Sequence, residues 1–100
     1  MNVKKAIQGD SCTINLSGKF TFADNQTFRG VIESIKNKEA NNYTLDLTGL
    51  EFVDSAALGM FLVAREEATK AGANLSLQNP NGHVEKMFSL SNFSGLFNIV

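Results

Sequence analysis

The sequence is poor in cysteine, histidine and proline, and it contains no tryptophan. Cys12 is the only cysteine, which excludes an internal disulfide and a cysteine cluster for zinc. His83 is the only histidine, so neither a histidine-based metal site nor a Cys–His catalytic pair is expected. No glycine-rich run matches a P-loop or a dinucleotide fingerprint. These absences predict a reduced cytoplasmic protein that works without a metal or other cofactor.

An excess of charge of one sign and long hydrophobic runs are also missing. Nine Lys and Arg stand against ten Asp and Glu, for a formal net charge of −1. Nucleic acid is therefore not an expected partner, because neutralising phosphates needs a basic surface. No apolar run reaches 18 residues, and residues 1–5 lead into no signal-peptide core, so direct membrane insertion is not expected. The near-neutral charge favours a monomer.

The residues that are present suit one small domain. The chain has 100 residues, of which 43% are hydrophobic and 19% charged, enough for a single core and no second one. We therefore expect one domain spanning residues 1–100.

The first half of the chain alternates between apolar and polar residues. A strand is predicted over Asn2–Ile7, and a second one contains Cys12, Ile14 and Leu16 and ends at Gly18. The glycine-containing turn between them predicts a hairpin. Asp24 is placed as the N-cap of a first helix, whose apolar face repeats at helical spacing and consists of Phe28, Val31, Ile32 and Ile35.

The second half alternates strands and helices. A strand over Tyr43–Leu47 precedes a turn and a long helix, Ser55–Ala71, which ends at Gly72. The predicted elements after this helix are a strand Asn74–Gln78, a helix His83–Leu90 and a short last strand. The order β-β-α-β-α-β-α predicts an α/β fold, with a mixed four- to five-stranded sheet and helices packed on it.

The junction between the third strand and the long helix carries the most information. Asp54 stands where an N-cap is needed, and Ser55 falls at the first helical position. A hydroxyl there lies near backbone N–H groups without intrahelical partners and near the positive end of the helix dipole. A phosphate on Ser55 could therefore be accepted without unfolding the helix. The alternative is that Asp54 and Ser55 only cap a helix.

The long helix has an apolar face and one apolar residue opposite it. The predicted core arc contains Ala57, Met60, Phe61, Ala64, Ala68 and Ala71. Leu58 and Leu62 fall beyond one edge of this arc, and Val63 falls nearly opposite its centre. An apolar residue away from the core can mark a partner surface, although single exposed apolar residues are also normal.

The run from Asp54 to Gly59, Asp-Ser-Ala-Ala-Leu-Gly, resembles the Asp-Ser-(Ser/Thr)-Gly-Leu-Gly run of the STAS domain family. The best-known members of that family are the bacterial anti-sigma factor antagonists. Residues 16–20 resemble the family's strand-end glycine segment, and residues 93–97 resemble its late Ser-Gly-Leu-Phe turn. The resemblance covers nearly the whole chain in the expected order.

The resemblance implies a regulatory binding protein. Family members in their unphosphorylated form bind an anti-sigma factor that is also a serine kinase, and so release a sigma factor. Phosphorylation of the serine after the aspartate, here Ser55, ends binding, and a PP2C-type phosphatase reverses it. The implied partner surface contains Asp54, Ser55, Leu58 and Gly59, with Phe22 and Asp24 of the neighbouring loop.

Two positions depart from the family's run. Ala56 replaces its second hydroxyl residue, which leaves Ser55 as the one acceptor, and Ala57 replaces a glycine, which narrows the approach to the first helical turn. The chain ends at Val100, before the further helix of many relatives, so we expect either that this helix is lacking or that the surface it covers is open.

Two other functions remain to be weighed. STAS-like domains also serve as cytoplasmic accessory subunits of anion or lipid transporters, where Ser55 would only cap a helix. A nucleotide sensor has no phosphate-binding motif in its favour. An enzyme is not expected, because a nucleophilic Ser55 needs a base and His83 is the sole candidate, with no triad order to support it.

Overall fold

The computed structural model describes residues 1–100 and contains five strands and three helices. They are β1 (Asn2–Gln8), β2 (Ser11–Phe20), α1 (Asn25–Lys36), β3 (Asn42–Val53), α2 (Ser55–Ala71), β4 (Asn74–Gln78), α3 (Gly82–Leu90) and β5 (Asn98–Ile99). Short 3-10 helices at Phe22–Asp24 and Phe93–Gly95 complete the chain.

The strands form one mixed sheet in the order β1-β2-β3-β4-β5. β1 is antiparallel to β2, as the predicted hairpin requires, and the other neighbours are parallel. The predicted α/β class with a mixed sheet is thus confirmed. Because β2, β3 and β4 run in the same direction, the loops that follow them lie along one edge of the sheet, called the carboxyl edge below.

The alternation in the strands separates a core face from a polar face. In β2 the side chains of Cys12, Ile14 and Leu16 are each 1% exposed, and the intervening side chains of Thr13 and Asn15 are half-buried or exposed. This is the period-two pattern of a sheet with one face covered. The buried side chains of strands and helices form a single cluster of 23 residues.

Phe61 of α2 lies at the centre of this core. Its ring packs edge-on against Phe20 of β2 and Phe28 of α1, with centroids 5.3 and 5.6 Å away. Phe88 of α3 lies at 5.6 Å and Phe93 at 6.5 Å. Such edge-to-face pairs add to the free energy of burial, and here they fix α2 relative to the sheet and to both other helices.

Two predicted strand ends were wrong, both near glycines. β2 continues past Gly18 to Phe20, with Gly18 at a φ of +86° beside a shift in register with β3. β3 continues from Leu47 to Val53 where a turn was expected. Gly49 permits the close pairing of β3 with β2 here, because a Cβ at this position would lie only 2.9 Å from the Ser17 Cβ and would clash with it. The irregular register interrupts the alternation of buried and exposed residues in both strands, and this alternation is the pattern by which a strand is predicted from sequence.

Candidate functional site at the carboxyl edge

Asp54 caps α2 and at the same time binds a second loop. Its Oδ1 accepts a hydrogen bond from the Ala57 backbone N–H at 2.8 Å, which confirms the predicted N-cap. Its Oδ2 accepts one from the Phe22 N–H at 3.0 Å. One carboxylate therefore holds the start of α2 and the loop after β2 together.

Ser55 is the first residue of α2, as predicted, and it is exposed. Its hydroxyl forms no hydrogen bond within the chain, because the capping contacts at this end of the helix belong to Asp54. The N-terminus of α2 supplies positive electrostatic potential at this position. The side chain is thus displayed on the surface.

The loop before α1 is organised differently from the prediction. Asp24 occupies the N-cap position of α1, as predicted, but its side chain makes no hydrogen bond to the α1 donors. Its Oδ2 instead accepts from the Thr21 N–H at 2.9 Å, within a capping box that closes the 3-10 helix Phe22–Asp24. This hydrogen bond is the main reason why the pKa of Asp24 lies below its ordinary value. The loop holds Phe22 outward, with 70% of its surface exposed.

The first turns of α2 only partly match the expected partner surface. Gly59 is exposed, and a Cβ there would meet nothing within 4 Å. Leu58 is 9% exposed and packs into the core, so it offers little surface to a partner. Ala57, which replaces the family's glycine, is fully buried and points away from the surface.

The rest of α2 corrects the predicted arc at one edge and agrees with it elsewhere. Leu58 is buried at the edge of the arc, whereas Leu62 is 39% exposed. One helical turn further on, the Arg65 Nε donates a hydrogen bond to the Leu96 carbonyl at 2.6 Å and joins α2 to the C-terminal segment. The buried arc is therefore wider than the sequence indicated. Val63, predicted to lie away from the core, is 45% exposed.

Sequence reasoning missed a stacked aromatic pair beside Asp54. The rings of Phe52, at the end of β3, and His83, at the start of α3, lie 4.6 Å apart and 5° from parallel. The His83 Nε2 lies 3.1 Å from the Val53 carbonyl oxygen. Phe52 falls outside the regular alternation of its strand, and no local pattern connects it with α3, so no sequence signal pointed to the pair.

The remaining potential metal ligands are dispersed over the structure. No three His, Cys, Asp or Glu side chains come together in an arrangement suited to a metal ion. Cys12 is buried, as expected, and burial raises the pKa of its thiol. None of the helices is both long and apolar enough to span a bilayer.

Comparison with known proteins places this geometry in a family. The family model described as the MlaB STAS domain matches residues 3–100. A STAS-domain containing protein of Pseudomonas aeruginosa (strain UCBPP-PA14) is 37% identical over 91 residues, which cover 91% of this chain and 89% of that protein. A candidate anti-sigma factor antagonist of Thermotoga maritima superposes with a TM-score of 0.84 at 25% identity, over 97% of this chain and 84% of that one.

More distant structures share the fold alone. The phosphorylated form of the Bacillus cell fate determinant SpoIIAA has a TM-score of 0.76 at 19% identity, over 99% of this chain and 91% of that one. A sulfate transporter family protein of Wolinella succinogenes has a TM-score of 0.77 at 17% identity, over 94% and 76%. With its family model matched over nearly its whole length, and with an antagonist among its structural neighbours, the chain belongs to the STAS domain family.

Proposed function

We propose that the protein is an anti-sigma factor antagonist switched by phosphorylation of Ser55. In its unphosphorylated form it binds, as a monomer in the cytoplasm, an anti-sigma factor that is also a serine kinase, and a sigma factor is released. Phosphorylated Ser55 ends this binding, and a PP2C-type phosphatase restores it. The protein has no catalytic activity of its own in this role and does not contact nucleic acid.

The exposed, unbonded hydroxyl of Ser55 on the first turn of α2 is the observation that carries the proposal. A kinase can reach this oxygen without unpacking the domain, because Ala57 and Phe61 hold the helix from its opposite face. The capping contacts of Asp54 do not involve the hydroxyl, so esterification leaves them in place.

The consequence of phosphorylation is electrostatic. A phosphate adds about −1.5 to −2 charges next to the carboxylate of Asp54. In the free protein this charge is solvated and is favoured by the helix dipole. In a complex it would lose water against the partner surface, and an unpaired buried charge costs several kcal/mol. Since about 1.4 kcal/mol changes affinity tenfold, the modification is sufficient to end binding.

The comparisons support this proposal in two ways. The structurally similar protein of Thermotoga maritima is named as a candidate anti-sigma factor antagonist. SpoIIAA, whose chain has the same fold, exists in a phosphorylated form.

The test is release of a sigma factor from its complex. We would add the purified protein to a complex of a sigma factor with a serine-kinase anti-sigma factor from the same organism, and follow free sigma factor by size-exclusion chromatography. The unmodified protein and Ser55→Ala should release sigma factor, and Ser55→Asp should not. Ser94→Asp, an exposed serine of the 3-10 helix before β5, is the matched control and should behave like the unmodified protein. No release by the unmodified protein, or equal release by Ser55→Asp, would refute the proposal.

The second candidate function is that of an accessory subunit of an anion or lipid transporter. The fold shared with a sulfate transporter family protein favours it. In that case the protein would copurify with a permease or its ATPase, and Ser55→Asp would leave this association unchanged.

A further inference from the structure

We infer that the stacked rings of Phe52 and His83 form a second contact for the anti-sigma factor, adjoining Ser55 on the side opposite to Phe22. This inference rests on the proposed function and adds to it an apolar anchor and a residue that positions it. The partner contributes apolar side chains to this contact.

The rings of Phe52 and His83 form a preorganised aromatic surface, called the plate below. They lie 4.6 Å apart and nearly parallel, and the His83 Nε2 hydrogen-bonds to the carbonyl of Val53 at 3.1 Å. Phe52 nevertheless remains 36% exposed, and His83 is exposed as well. Because the rings are already fixed in the free protein, the two side chains would lose little conformational entropy when a partner covers them.

The topology places this plate next to Ser55. Phe52 is the second-last residue of β3, two residues before Asp54, and His83 is the second residue of α3, which follows β4; Phe22 follows β2. Since β3 lies between β2 and β4 in the sheet, Ser55 has Phe22 on one side and the plate on the other. The exposed aromatic surface is therefore continuous with the modification site.

The surroundings of the plate indicate what covers it. Phe52 lies outside the buried cluster, so the core does not account for it. Lys19 lies opposite Phe52 in the register of β2 and β3, and Glu51 precedes Phe52 in the chain; both charged residues are exposed. An apolar centre with a polar rim is the usual anatomy of a protein interface, and buried aromatic residues often dominate its affinity. Mixed charge does not favour a polyanion or an anionic membrane.

The experiment measures binding to, and phosphorylation by, the purified serine-kinase anti-sigma factor that the release assay identifies. Phe52→Ala and His83→Ala should each weaken the Kd by about tenfold. In the kinase reaction both should raise KM for Ser55 phosphorylation while kcat stays unchanged, because they remove binding and leave the acceptor intact. Leu90→Ala is the matched control: Leu90 is 74% exposed at the far end of α3, and its loss should change neither value.

The outcomes separate this inference from the proposed function. Thermal unfolding first establishes which variants remain folded. If Phe52→Ala does not fold, His83→Ala alone is used for the binding and kinase measurements. If these variants bind like the unmodified protein while Ser55→Asp loses binding, the inference is wrong and the proposed function stands. If the variants change only the sedimentation of the isolated protein, the plate contacts a second copy and the inference is also overturned. Absence of any binding by the unmodified protein would refute the proposed function itself.

Discussion

Asp54 and Phe22 are joined by a hydrogen bond between positions 32 residues apart in the chain, from the Phe22 N–H to the Asp54 Oδ2 at 3.0 Å. Since the other oxygen of the same carboxylate caps α2, the loop with the exposed Phe22 cannot move independently of the helix that carries Ser55. The residue before Ser55 thus assembles the surface that the serine controls.

Replacing Asp54 should loosen both elements. Asp54→Ala removes the cap and the link to the loop, and we expect a loss of about 1–2 kcal/mol in the free energy of unfolding. Asp54→Asn can accept only one of the two bonds with its amide oxygen, so its loss should be smaller. Urea unfolding measures the stabilities, and hydrogen exchange should quicken at the Phe22 amide in both variants. Unchanged stability and exchange in Asp54→Ala would contradict the assigned contacts.

Two exposed helical glycines allow stability and binding to be separated. A Cβ at Gly30 in α1 or at Gly59 in α2 would meet nothing within 4 Å, so alanine at either position should stabilise the protein by about 0.5–1 kcal/mol. Only Gly59→Ala adds a methyl group to the surface around Ser55, and it alone should weaken binding of the anti-sigma factor. Equal binding by the two variants would remove Gly59 from the partner surface.

The aromatic core should depend on Phe61. Its ring is fully buried and contacts phenylalanines from the sheet, from both other helices and from the C-terminal segment. Phe61→Ala should cost about 3–5 kcal/mol, through lost burial and the cavity it leaves. Phe22→Ala, at an exposed ring, should cost far less. Chemical denaturation of both variants tests this, and a similar cost for each would contradict the packing described.

Acid should weaken the loop before α1. The hydrogen bond from the Thr21 N–H lowers the pKa of Asp24 in the folded protein. The stability that this adds is present above the pKa of the unfolded chain, about 3.9, and is lost as the pH falls through the lower folded value. Asp24→Asn should therefore be less stable than the unmodified protein at pH 7, with the difference shrinking towards pH 2. A difference independent of pH would show that the carboxylate charge does not matter.

Much of the fold could be predicted from local patterns. The alternation of Cys12, Ile14 and Leu16 identified β2, and the polar cap before an apolar helix located Asp54 and Ser55 correctly. These signals succeed because they arise from contacts within one element or with one buried face. Asp54 and Ser55 therefore lie at the start of α2, where the sequence placed them.

The remaining features depend on contacts between distant segments. Leu58 belongs to the buried core, although a projection of the single helix places it beyond the apolar arc. Asp24 is the N-cap residue of α1 as predicted, but its carboxylate accepts from the Thr21 N–H and not from the α1 donors. The stack of Phe52 on His83 joins the end of β3 to the start of α3, and only the folded sheet brings them together.

The most direct test of the Ser55 switch is a calorimetric titration of the serine-kinase anti-sigma factor with the protein in two forms, unmodified and fully phosphorylated on Ser55, together with thermal unfolding of each form. Phosphorylation should weaken binding, raising the Kd by at least about a hundredfold, equivalent to about 2.7 kcal/mol, while the unfolding temperature changes little. Equal affinity of the two forms, or loss of binding accompanied by loss of the fold, would contradict it.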